Sequence, residues 1–484
     1  MPTFPENLEP ALIWQHFARI CGVPHGSGHE AALRASLIEW AEDRNLEHAV
    51  DDVGNLVIRV PATPGYEDRP TTVIQGHIDM VCEKEPELAH DFATDPIQVV
   101  LEDGFVTAVG TTLGADNGIG VACGMAIADD PDAEHGPLEL LCTVDEERGM
   151  TGAFGLKPGF VTGTRMLNLD TEEEGALYVG CAGGGDVDSR WAVQREAAPA
   201  GYVGAKITVK GLVGGHSGLD IHRNRANAIK CLAQALWAAQ SAEIPLRIEH
   251  FQGGSMRNAV PRDAWATVAV PGDTAQALAQ VVAAQQAELQ AIFGRTDPGL
   301  TVTLSEAPVG TPWTARLTQQ VLSAIVANPS GVAAMSPDVP GLVETSNNLG
   351  VVRTTADSVE MVNCTRSSRG PDLEALRQSI RAVHLLAGAE VTLEPSYPGW
   401  QPDMSSPLLA KVQAVHEAVF GRPAAIKAIH AGLECGLLKR AYPDMDMISM
   451  GPDIFGAHSP SERLSVASTA KFYTLVKATL AALD

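Results

Sequence analysis

Three short runs of β-branched and apolar residues, each ending on a histidine or a carboxylate, constrain this chain more than any other feature. Thr71-Thr72-Val73-Ile74-Gln75-Gly76 leads into His77-Ile78-Asp79, and the apolar run from Leu138 to Val144 leads into Asp145-Glu146-Glu147. Met166-Leu167-Asn168-Leu169 leads into Asp170. In an open α/β sheet, functional groups gather beyond the carboxyl ends of the strands, so three such runs predict one shared site at the edge of one sheet. Two further residues fit the same placement: Asp116, at the start of a small-residue helix over about 117–129, and His458, in a loop after a strand over 445–450. The five candidate ligands are therefore His77, Asp116, Glu147, Asp170 and His458, gathered in space from distant parts of the chain.

At 484 residues the chain exceeds the size at which a single core usually stops growing, so at least two domains are expected. Helices are predicted over 9–20 and 29–44, a strand over Leu56–Val60, and strand and helix signals alternate to about residue 184, the pattern of a largely buried α/β sheet. Gly183-Gly184-Gly185 reads as a break. Beyond it come two βαββαβ units. The first has strands at 205–212, 246–252 and 259–270 with helices at 224–241 and 274–293. The second has strands at 300–305, 348–354, 358–365 and 390–394 with helices at 313–328 and 372–387. If His458 joins the other ligands, the last segment returns to the first sheet and the middle is an insertion. The expected domains are 1–185, an inserted α+β lid over 186–396 with repeats of about 200–296 and 297–396, and 397–484.

The formal charge of −25, from 34 basic and 59 acidic residues with no basic run, argues against a nucleic-acid groove. No uninterrupted apolar stretch is long enough for a bilayer, and the start has no basic-then-apolar leader, so the chain reads as cytoplasmic with no membrane partner. Its eight cysteines fall singly, without CxxC pairs, as expected of reduced buried thiols.

Two histidines and three carboxylates could hold a pair of divalent cations, which need neutral or anionic N and O donors to offset their charge. The absence of cysteine from the set favours zinc, cobalt or manganese in a hydrolytic role. For Asp116 the plain alternative is a helix N-cap. Successive residues leaving a strand point apart, so one of Glu146 and Glu147 should bind metal and the other face water. Asp79 is placed to accept the free ring N–H of His77.

His77-Ile78-Asp79-Met80-Val81-Cys82-Glu83-Lys84, Thr111-Thr112-Leu113-Gly114-Ala115-Asp116-Asn117-Gly118, the Glu146-Glu147 pair, Asn168-Leu169-Asp170-Thr171-Glu172-Glu173-Glu174, Gly214-Gly215-His216-Ser217-Gly218, His430-Ala431-Gly432-Leu433-Glu434-Cys435 and His458-Ser459-Pro460 together resemble the bacterial aminoacyl-histidine dipeptidases, also called cytosol non-specific dipeptidases, of the di-zinc exopeptidase clan. One small departure is Gly456-Ala457-His458, where a bulkier residue often precedes the histidine. The resemblance implies a catalytic domain with a mixed, mostly parallel sheet flanked by helices, interrupted by a lid of two ferredoxin-like βαββαβ units. It also implies two metals, most often zinc. One is held by His77, Asp116 and Asp170, the other by Asp116, Glu147 and His458. Glu146 is then the general base and Asp79 the acid behind His77. His216, Asn258 and Arg366 contact the substrate, an unblocked dipeptide that includes Xaa-His types. Such enzymes often form homodimers. An N-acyl-amino-acid deacylase or tripeptidase would use the same metals, and a non-catalytic metal-binding scaffold is the reading from another class.

Overall fold

The computed structural model describes residue 5 and residues 7–484. Contacts divide it into two compact units, one of residues 1–181, 400–428 and 433–484, the other of residues 182–399 and 429–432.

The first unit is built on an eight-stranded sheet in the order Glu47–Val50, Leu56–Val60, Leu138–Thr143, Thr72–His77, Arg165–Asn168, Asp446–Ser449, Ala176–Cys181, Ala425–Ile429. Its four central strands run parallel, with Thr72–His77 between Leu138–Thr143 and Arg165–Asn168, and Asp446–Ser449 beyond. Their carboxyl ends therefore lie along one edge, with His77 in register with Thr143 and Gln75 with Asn168. Every residue of Thr72–His77 and of Leu138–Thr143 is buried, as expected of strands covered on both faces. Helix Ala115–Asp129 lies against the sheet, and its glycines allow the close fit. A Cβ on Gly124 would meet Leu140 at 3.3 Å, and one on Gly118 would meet Phe17, on helix Ala11–Cys21, at 3.2 Å. A small antiparallel sheet of Val99–Glu102, Phe105–Ala108, Arg463–Ser465 and Ile454–Phe455 anchors both ends of the loop that carries His458.

The second unit is an antiparallel sheet in the order Thr301–Ala307, Tyr202–Lys210, Ala264–Pro271, Arg247–Gly253, Val343–Thr354, Ser358–Ser367, Gly183–Ala192, Glu390–Leu393, with Gly331–Met335 pairing onto Val343–Thr354. Two details differ from the sequence reading. The strand expected to open the second repeat, Thr301–Ala307, pairs instead with Tyr202–Lys210 of the first, and Gly183–Ala192 takes its place beside Ser358–Ser367. The first repeat is thus nested between the first strand of the second repeat and its remainder. Gly183-Gly184-Gly185, read as a break, follows the boundary between the two units at residues 181 and 182 and itself opens strand Gly183–Ala192. These glycines are needed for close approach: a Cβ on Gly184 would lie 2.7 Å from the Tyr397 hydroxyl, and one on Gly185 would lie 2.9 Å from Arg377 Nε.

Candidate metal centre

The first unit brings all five candidate ligands together at the carboxyl edge of its sheet. His77 is buried at its strand end, with Nε2 3.1 Å from Asp116 Oδ1 and 3.3 Å from Asp170 Oδ1. His458 Nε2 is 3.1 Å from Asp116 Oδ2 and 2.8 Å from Glu147 Oε1. Donor atoms of His77, Asp116 and Asp170 all lie within 4.8 Å of one another, and so do those of Asp116, Glu147 and His458. The two sets share Asp116, one oxygen turned to each imidazole.

Asp116 is not the N-cap that its position suggested. It lies within the helix boundary but has non-helical backbone angles (φ −84°, ψ 108°), and neither carboxylate oxygen caps a backbone N–H. Its loop is held instead by Glu462, a buried carboxylate that accepts the N–H groups of Leu113, Gly114, Ala115 and Asp116 at 2.7–3.4 Å. Glu462 went unnoticed in sequence, where Ser459-Pro460-Ser461-Glu462 looks like any polar loop.

Asp79 also works differently from expectation. The Nδ1–H of His77 donates to the backbone carbonyl of Asp79 at 3.0 Å, while the carboxylate lies farther off at 3.4 Å. That carboxylate accepts the backbone N–H groups of Glu146 (2.9 Å) and Glu147 (3.2 Å), fixing the short helix Glu146–Gly149 that carries both glutamates. A second buried carboxylate, Glu434, accepts from Thr143 Oγ1 and Gln75 Nε2, each at 2.6 Å, on the two strands that lead to the site.

The electrostatics of these residues conflict without a cation. Hydrogen bonds to Asp116 and Glu147 push His458 up to about 11. Burial opposes a proton on His77, but the Asp170, Asp116 and Asp79 carboxylates outweigh it and hold the ring well above its ordinary value. In the opposite direction, burial and the neighbouring Asp116 and Glu147 charges raise Asp170 to about 6. Burial, reinforced by Asp170, Glu434 and Glu147, raises Glu146 well above the carboxylate range. Glu147 Oε1 and Asp170 Oδ1 are buried, and the group facing each is an imidazole nitrogen, His458 Nε2 at 2.8 Å and His77 Nε2 at 3.3 Å. Surplus anion and buried carboxylate oxygens that converge with imidazole nitrogens fit divalent cations, which satisfy both kinds of ligand at once. A further acidic group, Glu30, Asp79 and Asp145, is already engaged by the N–H groups of Gly28, Asp145, Glu146 and Glu147 and by Arg148.

Residues 73–482 match the sequence profile of "Peptidase family M20/M25/M40". The chain belongs to that family. It is 42% identical over 471 residues to the cytosol non-specific dipeptidase of Escherichia coli K12, covering 97% of each chain. It superposes on the crystal structure of aminoacylhistidine dipeptidase from Vibrio alginolyticus with a TM-score of 0.92 at 42% identity, covering 99% of this chain and 98% of that one. Aminopeptidase PepT from Bacillus cereus, at 17% identity, a TM-score of 0.58 and 98% of this chain covered, shares the fold.

In this family member the second unit holds His216, Asn258 and Arg366. His216 Nδ1 accepts the backbone N–H groups of Gly218 (3.2 Å) and Leu219 (3.1 Å), so the neutral ring carries its proton on Nε2. Burial and the nearby Arg366 lower the His216 pKa, which favours that neutral form. Arg366 is buried on strand Ser358–Ser367, with Nη1 3.3 Å from the Tyr397 hydroxyl and Nε 3.4 Å from Ser217 Oγ. Asn258 is exposed, and its carbonyl accepts the Ser217 N–H at 2.8 Å. Asn258 and Arg366 line one cavity of about 430 Å³. Tyr397 and Ser217 were missed in sequence, since only the fold brings them to the guanidinium.

Proposed function

We propose that the protein is a di-metal dipeptidase acting on unblocked dipeptides, Xaa-His types included. The observation that carries this reading is the pair of ligand sets sharing Asp116, with Glu146 beside them and held by its own N–H to Asp79. His77, Asp116 and Asp170 would hold one metal, and Asp116, Glu147 and His458 the other, zinc being the metal of choice for such N/O donors. Bound there, the pair supplies Lewis acidity, acidifying water and polarising a carbonyl.

Glu146 takes a proton from the attacking water and returns it to the departing amine nitrogen. His216 donates Nε2–H to the developing oxyanion, and Arg366 pairs with the substrate's C-terminal carboxylate, which its fork geometry fits. Asn258 adds a polar contact to the substrate. The antiparallel unit is read as a lid of two ferredoxin-like βαββαβ units inserted in the catalytic domain, with Arg366 on it to read the substrate's free carboxylate. The Escherichia coli and Vibrio alginolyticus relatives, named as dipeptidases, support this substrate class, and the former's name supports a cytosolic enzyme. A homodimer completes the reading.

The test is metal analysis of the purified protein joined to a substrate panel. Two divalent ions per chain are expected, with cleavage of free dipeptides and little turnover of tripeptides or N-acetylated amino acids. Preferential deacylation of the acetylated compounds would overturn the dipeptidase reading, and a sedimentation mass of one chain would remove the dimer.

A further inference from the structure

The cavity beside Arg366 has a second, acidic end that the proposed reaction does not use. Side chains alternate along Gly183–Ala192, where Ser189 bonds His384 and Trp191 bonds the Ala387 carbonyl on the helix-covered face. Asp186 and Asp188 therefore project from the opposite, open face. In register, Gly184 lies opposite Arg366, Asp186 opposite Cys364 and Asp188 opposite Val362, so the acidic pair lies in line with the guanidinium along one sheet face. Asp188 is four residues along the strand from Gly184, about 13 Å at the usual rise of ~3.3 Å per residue. Both aspartates line the 430 Å³ cavity, as does Glu394.

The charges at that end do not balance. Asp186 is paired with Arg257 at 2.7 Å, but Asp188 Oδ1 is buried with no hydrogen-bond partner. Burial and repulsion from Asp186 and Glu394 raise Asp188 to about 6 against the attraction of Arg257, which also lines the cavity and is paired with Asp186. A carboxylate facing a cavity in this state is stabilised by an incoming cation.

We propose that this cavity is the subsite for the side chain of the dipeptide's C-terminal residue, and that it selects a basic one, lysine or arginine, whose cation pairs with Asp188 while Arg366 holds the carboxylate. The inference rests on the dipeptidase reading, specifically on Arg366 as the carboxylate anchor. The spacing between the Arg366 and Asp188 rows suits a long extended side chain, and alanine leaves the acidic end unfilled.

The experiment measures kcat/KM for Ala-Ala, Ala-Lys and Ala-Glu with the metal-loaded full chain. In the wild type, Ala-Lys is expected to exceed Ala-Glu. In Asp188→Asn the ratio of Ala-Lys to Ala-Ala should fall about tenfold or more, mainly through KM, as expected for loss of a charged hydrogen bond. Asp188→Glu should keep most of the preference, which a merely structural role would not predict. Because each ratio is taken within one preparation, partial misfolding cancels. An unchanged ratio in Asp188→Asn, or the same fall in Asp188→Glu, would overturn the subsite. Failure of the wild type to cleave any of the three dipeptides would instead overturn the dipeptidase reading itself.

Discussion

The ligand cluster of the first unit and the surroundings of Arg366 in the second treat charge in opposite ways. In the first, Asp116, Glu146, Glu147 and Asp170 crowd two imidazoles at a sheet edge, and the field is strong enough to raise His458 to about 11 and Asp170 to about 6. In the second, two imidazoles near Arg366 are held neutral: burial, with Arg366 nearby, lowers His216 and takes His430 down to about 3. The first arrangement needs a cation to be stable, whereas the second offers neutral donors and a guanidinium, which is what an anionic substrate group needs. Chemistry and recognition are thus assigned to different electrostatic environments.

The sharpest way to break that division is Glu146→Ala. It should lower kcat by roughly 10²–10⁴ with metal content preserved, since Glu146 lies in neither ligand set that shares Asp116; near wild-type turnover, checked by steady-state kinetics, would refute the assignment. Next is Arg366→Ala, expected to reduce kcat/KM by about 10²-fold, chiefly by raising KM. Dipeptide amides, which lack the carboxylate, should be nearly insensitive, and equal losses on acids and amides would show that Arg366 does not read that group.

A smaller, purely thermodynamic effect concerns the metal-free protein. His458 is protonated at neutral pH there, so metal binding at pH 7 should release about one proton or more per chain, seen as a buffer-dependent heat in titration calorimetry. Metal uptake without proton release would contradict the charged state assigned to the site.

The smallest effect belongs to the second unit. Burial lowers His384 to about 4, and its Nδ1 lies 2.6 Å from Ser189 Oγ. The unfolded chain takes up that proton first, so the stability from neutral His384 is complete above about pH 6.5 and is lost as pH falls toward 4. His384→Gln should therefore show a shallower decline of Tm between pH 7 and 5 than the parent, and parallel declines would rule out this histidine as the cause.

Much of the first unit was legible because a strand end is a local signal. The runs before His77, Glu147 and Asp170 declare themselves by β-branched or apolar residues, and parallel pairing then leaves their ends on one edge. What was not legible depends on partners far along the chain. Glu462 meets Leu113–Asp116 across more than three hundred residues, and Glu434 meets Thr143 across nearly as many. Asp79 has a recognisable position, but whether its carboxylate or its carbonyl takes the His77 proton is a matter of a few tenths of an ångström. The glycine triplet marks the boundary between the units, but its packing is not legible in sequence, because a glycine run looks the same whether it opens a turn or lets Tyr397 and Arg377 approach a strand.

By itself, then, the sequence determined the alternation of strands and helices, the strand-borne donors and the motifs that mark the family, because these are properties of residues near one another in the chain. The tertiary structure alone decided that Asp116 divides its oxygens between two imidazoles, that Thr301–Ala307 pairs with the first repeat while Gly183–Ala192 pairs with the second, and that Asp188 Oδ1 is buried beside a cavity with no hydrogen-bond partner. Each depends on distances between groups remote in sequence, and those distances are fixed by packing and strand register.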